Sequence, residues 1–327
     1  MRANRPKSFP VFLAGTLAAA GALAACSDDD SGTESDAGGL DPVVISLTPI
    51  TDMAPYYLGV DLGFYEEEGL DVEIVTNQGG AAALPQIMTG DVDFGSANPN
   101  TIYVAADQGL EPRILLTTSA STGEEGTDAG AVLSFDPAIE SAADLAGATV
   151  SVPTFNSIGD VTINHAVDED GGDHTAINYV ELPFPDMTSA MESDQVDAAF
   201  LVEPFLTNAL NNGAHVVTWN YVAMTDDMPI TSLYTSQDTI DERGDVVDRF
   251  VEATYRSLDY ATENPDEVTR ILQTYTELSE EQIAQMNLAV WSRDFNHDGY
   301  VAIAEQLVEL GTVTEMPDVD SLIHRPE

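Results

Sequence analysis

Apolar residues in this chain fall into short β-branched runs separated by alanine-rich stretches of helical period, the alternation expected of a mostly parallel α/β layer. Val43–Leu47 reads as the first strand, followed by turn chemistry at Thr48-Pro49 and a helix that starts near Pro55 and reaches a glycine stop at Gly69. Val72–Thr76 is a second strand ending in Asn77-Gln78-Gly79-Gly80, and Ala82–Met88 a second helix. Gly90–Gly109 then reads as strand, turn and helix, with a fainter copy about a hundred residues later at Asp194–Gly213. In each copy a proline (Pro99, Pro204) precedes the helical stretch and a glycine closes it. Free helix N–H groups are thereby aimed at the space beyond a strand's carboxyl end, where open α/β sheets bind ligands. Two such units imply two similar lobes with a cleft between them.

Further strands fall at Ile114–Thr118, Ala131–Phe135, Thr149–Val152, Tyr179–Leu182, Ala198–Leu201 and Val216-Val217, with a return strand at Ile230–Thr235. Asp245–Gly311 is helical in pattern throughout, punctuated at Asn264-Pro265 and Leu278-Ser279. The expected organisation is one lobe from residues 41–138 plus 224–327, the latter carrying the helical C-terminal segment, and a second lobe from 139–223.

The amino terminus reads as targeting rather than fold. Arg2, Arg5 and Lys7 precede an apolar run from Val11 to Ala22, short for a bilayer span but suited to a secretory signal. Leu23-Ala24-Ala25-Cys26 resembles a bacterial lipoprotein signal, so residues 1–25 are expected to be removed and Cys26 lipidated. Residues 26–40, rich in Ser, Asp and Gly, form a flexible tether. Cys26 is the only cysteine, which excludes an internal disulfide. Removing the leader leaves seven arginines against 57 acidic side chains, a net charge of −50. Such a surface repels nucleic acid, and its near-absence of lysine suits salty surroundings.

Several motifs together resemble the solute-binding receptors of ABC importers, in the branch that handles sulfonates, taurine, nitrate and thiamine pyrimidine precursors. They are Ala54-Pro55-Tyr56-Tyr57, Gly63–Leu70, Gly90–Phe94, Asp144-Leu145-Ala146-Gly147 and Val196–Phe205, and the resemblance spans Asp41–Glu327. It implies a two-lobed periplasmic-binding-protein-like (type II) α/β fold that closes on a small solute. It also implies a monomeric, lipid-anchored receptor on the extracytoplasmic face of the membrane, partnered by a permease and its ATPase. Rival classes are a pyrimidine-synthase-like enzyme and a ligand sensor on the same fold. The enzyme would use pyridoxal phosphate, whose Schiff base needs a lysine amine, and Lys7 is the only lysine. His165, His174, His215, His297 and His324 lack metal-ligand spacing, so no cofactor or metal is expected.

Carried over to the loops after the strands, the resemblance implies ligand contacts from Thr51, Asp52, Asn77, Gln78, Gly79, Ser96, Asn98, Thr154, Phe155, Asn156, Pro183, Phe184, Glu203 and Phe205, with Tyr56 and Tyr57 expected to face Glu203 from the opposite lobe. Ser96, Asn98 and Asn156 are equally good helix caps, and Phe184 and Phe205 equally good core residues. Glu203 follows the apolar strand Ala198–Val202, where burying a carboxylate is costly without a partner. As a cleft acceptor beside Phe205 it suits a flat, nitrogen-bearing, pyrimidine-like ring better than a sulfonate or nitrate. Asp294–Glu305 also matches the twelve-residue calcium loop, with Asp294, Asn296, Asp298 and Glu305 at ligand positions and Gly299 at the sixth. In relatives this stretch is a turn capping the last helix, and that is the expectation here.

Overall fold

A computed structural model of the chain describes residues 39–225, 227–276, 278–292 and 295–325. Cys26 and the leader lie outside the described residues, as does Asp294. In chain order the elements of the first half are β1 (Asp41–Leu47), α1 (Ala54–Asp61), α2 (Phe64–Glu67), β2 (Leu70–Thr76), α3 (Gly80–Met88), β3 (Phe94–Ala97), α4 (Pro99–Asp107), β4 (Pro112–Ala120), β5 (Gly130–Ser134), β6 (Thr149–Val152) and α5 (Ile158–Glu169). There follow β7 (Asn178–Glu181), α6 (Phe184–Glu192), β8 (Ala198–Val202), α7 (Phe205–Asn211), β9 (His215–Thr218), α8 (Asn220–Met224), β10 (Pro229–Ser236), α9 (Gln237–Glu263), α10 (Pro265–Tyr275), α11 (Glu280–Ile283) and α12 (His297–Glu309). Among the described residues no helix is long and apolar enough to cross a membrane.

The strands form two mixed five-stranded sheets, ordered β2-β1-β3-β10-β4 and β7-β6-β8-β5-β9. In the first, β1 runs parallel to β2 and β3 while β10 is antiparallel to β3 and β4. In the second, β6 runs parallel to β7 and β8 while β5 is antiparallel to β8 and β9. Each sheet thus takes its one reversed strand from a crossing: β5 enters the second sheet from β4, and β10 returns to the first. β3–α4 and β8–α7 are the two copies read in the sequence, and Gly109 and Gly213 close them at φ of 84° and 99°, where a side chain would be strained. β3, β5 and β8 are buried along their whole length, because helices cover both faces of a central strand.

Three details differ from the sequence reading. The helix expected to run unbroken to Gly69 is split into α1 and α2 by Gly63, whose φ of 76° breaks the helical path. Ala131–Phe135 is a strand as expected, but β5 belongs to the second sheet, so the expected boundary at residue 138 lies too late in the chain. The region 245–311 is not helical throughout: Val290 forms an antiparallel bridge with Ala120, the Ala120 N–H donating to the Val290 carbonyl at 2.9 Å.

The few arginines serve as fasteners between the C-terminal helices and the first sheet's margin. Arg243 pairs with Asp93, Arg256 with Glu67, Arg249 with Asp41 at 2.6 Å and Arg270 with Asp61 at 2.6 Å. Beneath them Phe94 stacks on Phe250 at 4.1 Å and Tyr65 on Phe250 at 4.9 Å. The rings contribute far more by burial than exposed ion pairs of this kind, which are worth about 0–1 kcal/mol each.

Candidate functional site

The carboxyl ends of the parallel strands in both sheets face a common cavity of about 60 Å³. The first sheet contributes Asp52 from the turn after β1, Gly79 and Gly80 at the start of α3, and Ser96 and Asn98 at the end of β3. The second contributes Thr154 and Ser157 after β6, Phe200 from β8, and Phe184 at the start of α6. Thr231 of β10 and Tyr221 of α8 complete the wall at the crossings. Two glycines make the wall possible. A Cβ at Gly130 would stand 2.6 Å from the Tyr221 ring, and one at Gly80 would stand 2.7 Å from the Ala97 Cα. Glycine therefore lets the edge of the Tyr221 ring meet β5 and lets α3 start against β3.

Asp52 is the one acidic residue among the described residues that line the chamber. Its side chain is buried, Ser119 Oγ donates to Oδ2 at 2.7 Å, and the Trp291 indole N–H donates to its backbone carbonyl at 3.1 Å. Burial pushes its pKa up, and the neighbouring Asp128 adds to the rise. Among the described lining residues there is no Arg, Lys or His to offset it. Ser96 Oγ is buried in the same wall and has no hydrogen-bond partner among the described residues. A buried hydroxyl in that state costs about 1–3 kcal/mol, which a solute hydrogen-bonding there would relieve.

A model of the family described as NMT1/THI5 like matches residues 50–268, more than half of the chain. The chain belongs to the NMT1/THI5-like family. It is similar to the formylaminopyrimidine-binding protein of Halalkalibacterium halodurans, 24% identical over 262 residues that cover 77% of this chain and 75% of the relative. Its fold is that of the alkanesulfonate-binding protein SsuA from Xanthomonas axonopodis pv. citri, bound to MOPS, with a TM-score of 0.72 at 14% identity over 88% of this chain and 100% of that one. It is equally that of the periplasmic nitrate-binding protein NrtA from Synechocystis PCC 6803, with a TM-score of 0.74 at 14% identity over 87% and 86%. The curated relatives it matches, at 22–24% identity, are named as binding proteins.

Of the residues expected at the ligand, the structure of this NMT1/THI5-like protein brings Asp52, Gly79, Ser96, Asn98, Thr154 and Phe184 onto the cavity wall. Asn98 is anchored there by its Nδ2, which donates to the Ile230 carbonyl at 2.7 Å. Others stand elsewhere for identifiable reasons. The Glu203 carboxylate is fully buried away from the chamber and satisfied by the protein: Thr207 Oγ1 donates to it at 2.7 Å, Thr207 N at 3.1 Å and Asn287 N at 3.1 Å. It caps α7 instead of presenting an acceptor to a solute. Tyr56 is core beneath the first sheet, and Tyr57 stacks on Tyr275 at 3.8 Å. Thr51 is buried off the chamber, its N–H reaching the Glu203 carbonyl at 3.5 Å. Asn77 is spent on its own loop, accepting from Thr48 Oγ1 and Gly79 N and donating to Ser46. Phe155 points to solvent, and Asn156 sits at φ 54° with its N–H donated to Asp160. Phe205 packs parallel to Phe184 at 5.7 Å, one ring removed from the chamber. In the calcium-like stretch α12 already begins at His297, and the Asn296 side chain caps it by accepting from Gly299 N at 3.1 Å. Asp298 and Glu305 are therefore seven residues apart on one helix, about 10 Å along its axis, and cannot close on one ion.

Sequence reasoning missed Tyr221, Thr231, Ser157 and Phe200, which reach the chamber from the crossings and from inside a strand. Gly130, opening the strand Gly-Ala-Val-Leu-Ser, was the one local sign that a ring lies against it.

The acidic interior also predicts how stability depends on pH. Burial pushes Asp160, at the start of α5, up to about 6 despite N–H donors from Ser157 and Asn156. A carboxyl raised in this way contributes fully below its unfolded value of 3.8 and loses that contribution as pH rises through about 6. Two units correspond to about 3 kcal/mol. Burial moves Asp52, Asp128 and Glu203 in the same direction. Asp107, Asp170 and Asp173 are lowered by the hydrogen bonds they accept, so their contribution is lost only as pH falls below the ordinary value of 3.8. The melting temperature is expected to be higher near pH 5 than near pH 7.5, by about 2 °C from Asp160 alone, measured by calorimetry at fixed ionic strength. A flat or rising profile across that interval would contradict it.

Proposed function

We propose that this protein is a membrane-anchored receptor that captures a small organic solute outside the cell and presents it to an ABC importer, and that the solute is a flat, nitrogen-bearing heterocycle of pyrimidine type. The observation that carries the reading is Asp52, an acceptor at the wall of a chamber lined by Phe184, Phe200 and Tyr221, with no cationic side chain among the described lining residues. A ring N–H can donate to the carboxylate while the ring face meets an aromatic side chain, whereas an anion would meet a negative charge. The formylaminopyrimidine named for one relative agrees with that chemistry. A sulfonate or nitrate is the second reading, favoured by the N-termini of α3 and α5, whose Gly80 and Ile158 line the chamber and offer backbone N–H groups to an anion. Isothermal calorimetry with a panel of aminopyrimidines, taurine, alkanesulfonates and nitrate separates the two. Tight binding of a sulfonate with no response to any pyrimidine would overturn the first.

The anchor is a part of the same proposal. Lipidated at Cys26, the receptor would be held by acyl chains worth about 0.8 kcal/mol per buried methylene, with more than one chain making residence stable. Cys26→Ser is expected to shift the protein from the membrane pellet to the soluble fraction. A variant that still pellets like the wild type would place the anchor elsewhere.

A further inference from the structure

We infer that the solute does not end in the chamber but carries an uncharged apolar substituent that passes Phe184 into an outer groove, an inference that rests on the receptor reading above. The chamber of about 60 Å³ has room for about four to six water-sized groups, enough for the atoms of one six-membered ring and little else. Beside it lies a second cavity of about 260 Å³, and Thr48, Ile50 and Phe184 form the wall that it shares with the chamber.

The groove's chemistry specifies what it takes. Pro49, Pro183 and Pro185 fix much of its backbone, and the half-buried ring of Phe205 lies parallel to that of Phe184, interplanar angle 10°. No charged side chain is among its described lining residues. Of its polar lining residues, Thr76 and Gln78 are exposed, while Asn77 has its amide oxygen occupied by Thr48 Oγ1 and Gly79 N and its amide nitrogen by Ser46. Against the side formed by Pro183, Phe184, Pro185 and Phe205 a polar or charged substituent would lose water without recovering its hydrogen bonds, while an aromatic or short aliphatic one would gain from burial against preorganised rings. Phe205 is thus a specificity-determining residue for the solute's distal part, and Asp52 and Ser96 serve its head.

Calorimetry on the whole receptor carrying Cys26→Ser with head-matched pairs tests this: aminopyrimidine against benzylaminopyrimidine, and methanesulfonate against phenylmethanesulfonate. The benzyl member of whichever pair binds is expected to bind at least tenfold tighter than the bare head. Phe205→Ala should remove most of that gain and leave the bare head's affinity unchanged, which also reports that the variant is folded; Phe205→Leu should retain part of it. Equal affinities within the pair, or a gain that survives in Phe205→Ala, would overturn the extended-solute inference with the receptor reading intact. Failure of both pairs to bind at all would instead overturn the receptor reading itself.

Discussion

Replacing Glu203 with alanine is expected to cost the fold about 2–5 kcal/mol while leaving the affinity of any captured solute unchanged. The side chain has no exposed surface, and its carboxylate accepts from Thr207 Oγ1, Thr207 N and Asn287 N. Truncation strands three donors, each worth about 1–3 kcal/mol when buried without a partner, and partial relaxation keeps the total below their sum. In a body of this size that lowers the melting temperature by about 5–15 °C. Glu203→Gln should be milder, since the amide oxygen keeps an acceptor in place and no charge is buried. Thermal denaturation gives the first quantity and calorimetry below the melting range the second. If Glu203→Gln weakened solute binding tenfold with an unchanged melting temperature, the carboxylate would be a ligand contact after all.

The Glu203 case marks where sequence reasoning stops. That a carboxylate after Ala198–Val202 needs a partner follows from local pattern and the cost of burial. That the partner is Asn287, far along the chain, does not. Asn287 sits in a strap that also ties Nδ2 to the Gly126 and Asp128 carbonyls and pairs Val290 with Ala120, and its apolar residues mimic helical spacing while its backbone serves the crossings. Strand-and-helix alternation, the glycine stops and the two β-turn-α copies were legible because each is written within about twenty residues. Sheet membership of β5 was not, since nothing in Gly130–Ser134 tells whether its neighbours are β4 and β10 or β8 and β9. The same division holds at the chamber. Ser96, Asn98 and Thr154 sit where the rule about strand ends puts ligand loops, whereas Tyr221 and Thr231 arrive by tertiary pairing.

Asp52→Asn should separate stability from affinity in opposite directions. The substitution is isosteric and keeps an acceptor for Ser119 Oγ, so the local hydrogen bond at 2.7 Å survives. It removes a carboxylate whose pKa burial raises, with Asp128 adding to the rise, so the solute-free protein is expected to melt no lower than the wild type and, near neutral pH, higher. A ring N–H that donated to the carboxylate now meets a neutral amide. The lost charge-assisted bond, about 1.5–3 kcal/mol, weakens binding of a pyrimidine roughly 10- to 150-fold. An anion would instead gain, because the chamber's own negative charge is gone. Acidity gives an independent check: wild-type affinity for an N–H donor should fall as pH drops through the raised value and the carboxyl takes up a proton, and the variant's should stay flat over the same range. Pyrimidine affinities equal in wild type and variant at neutral pH would remove Asp52 from the solute's contacts and with it the case against an anion.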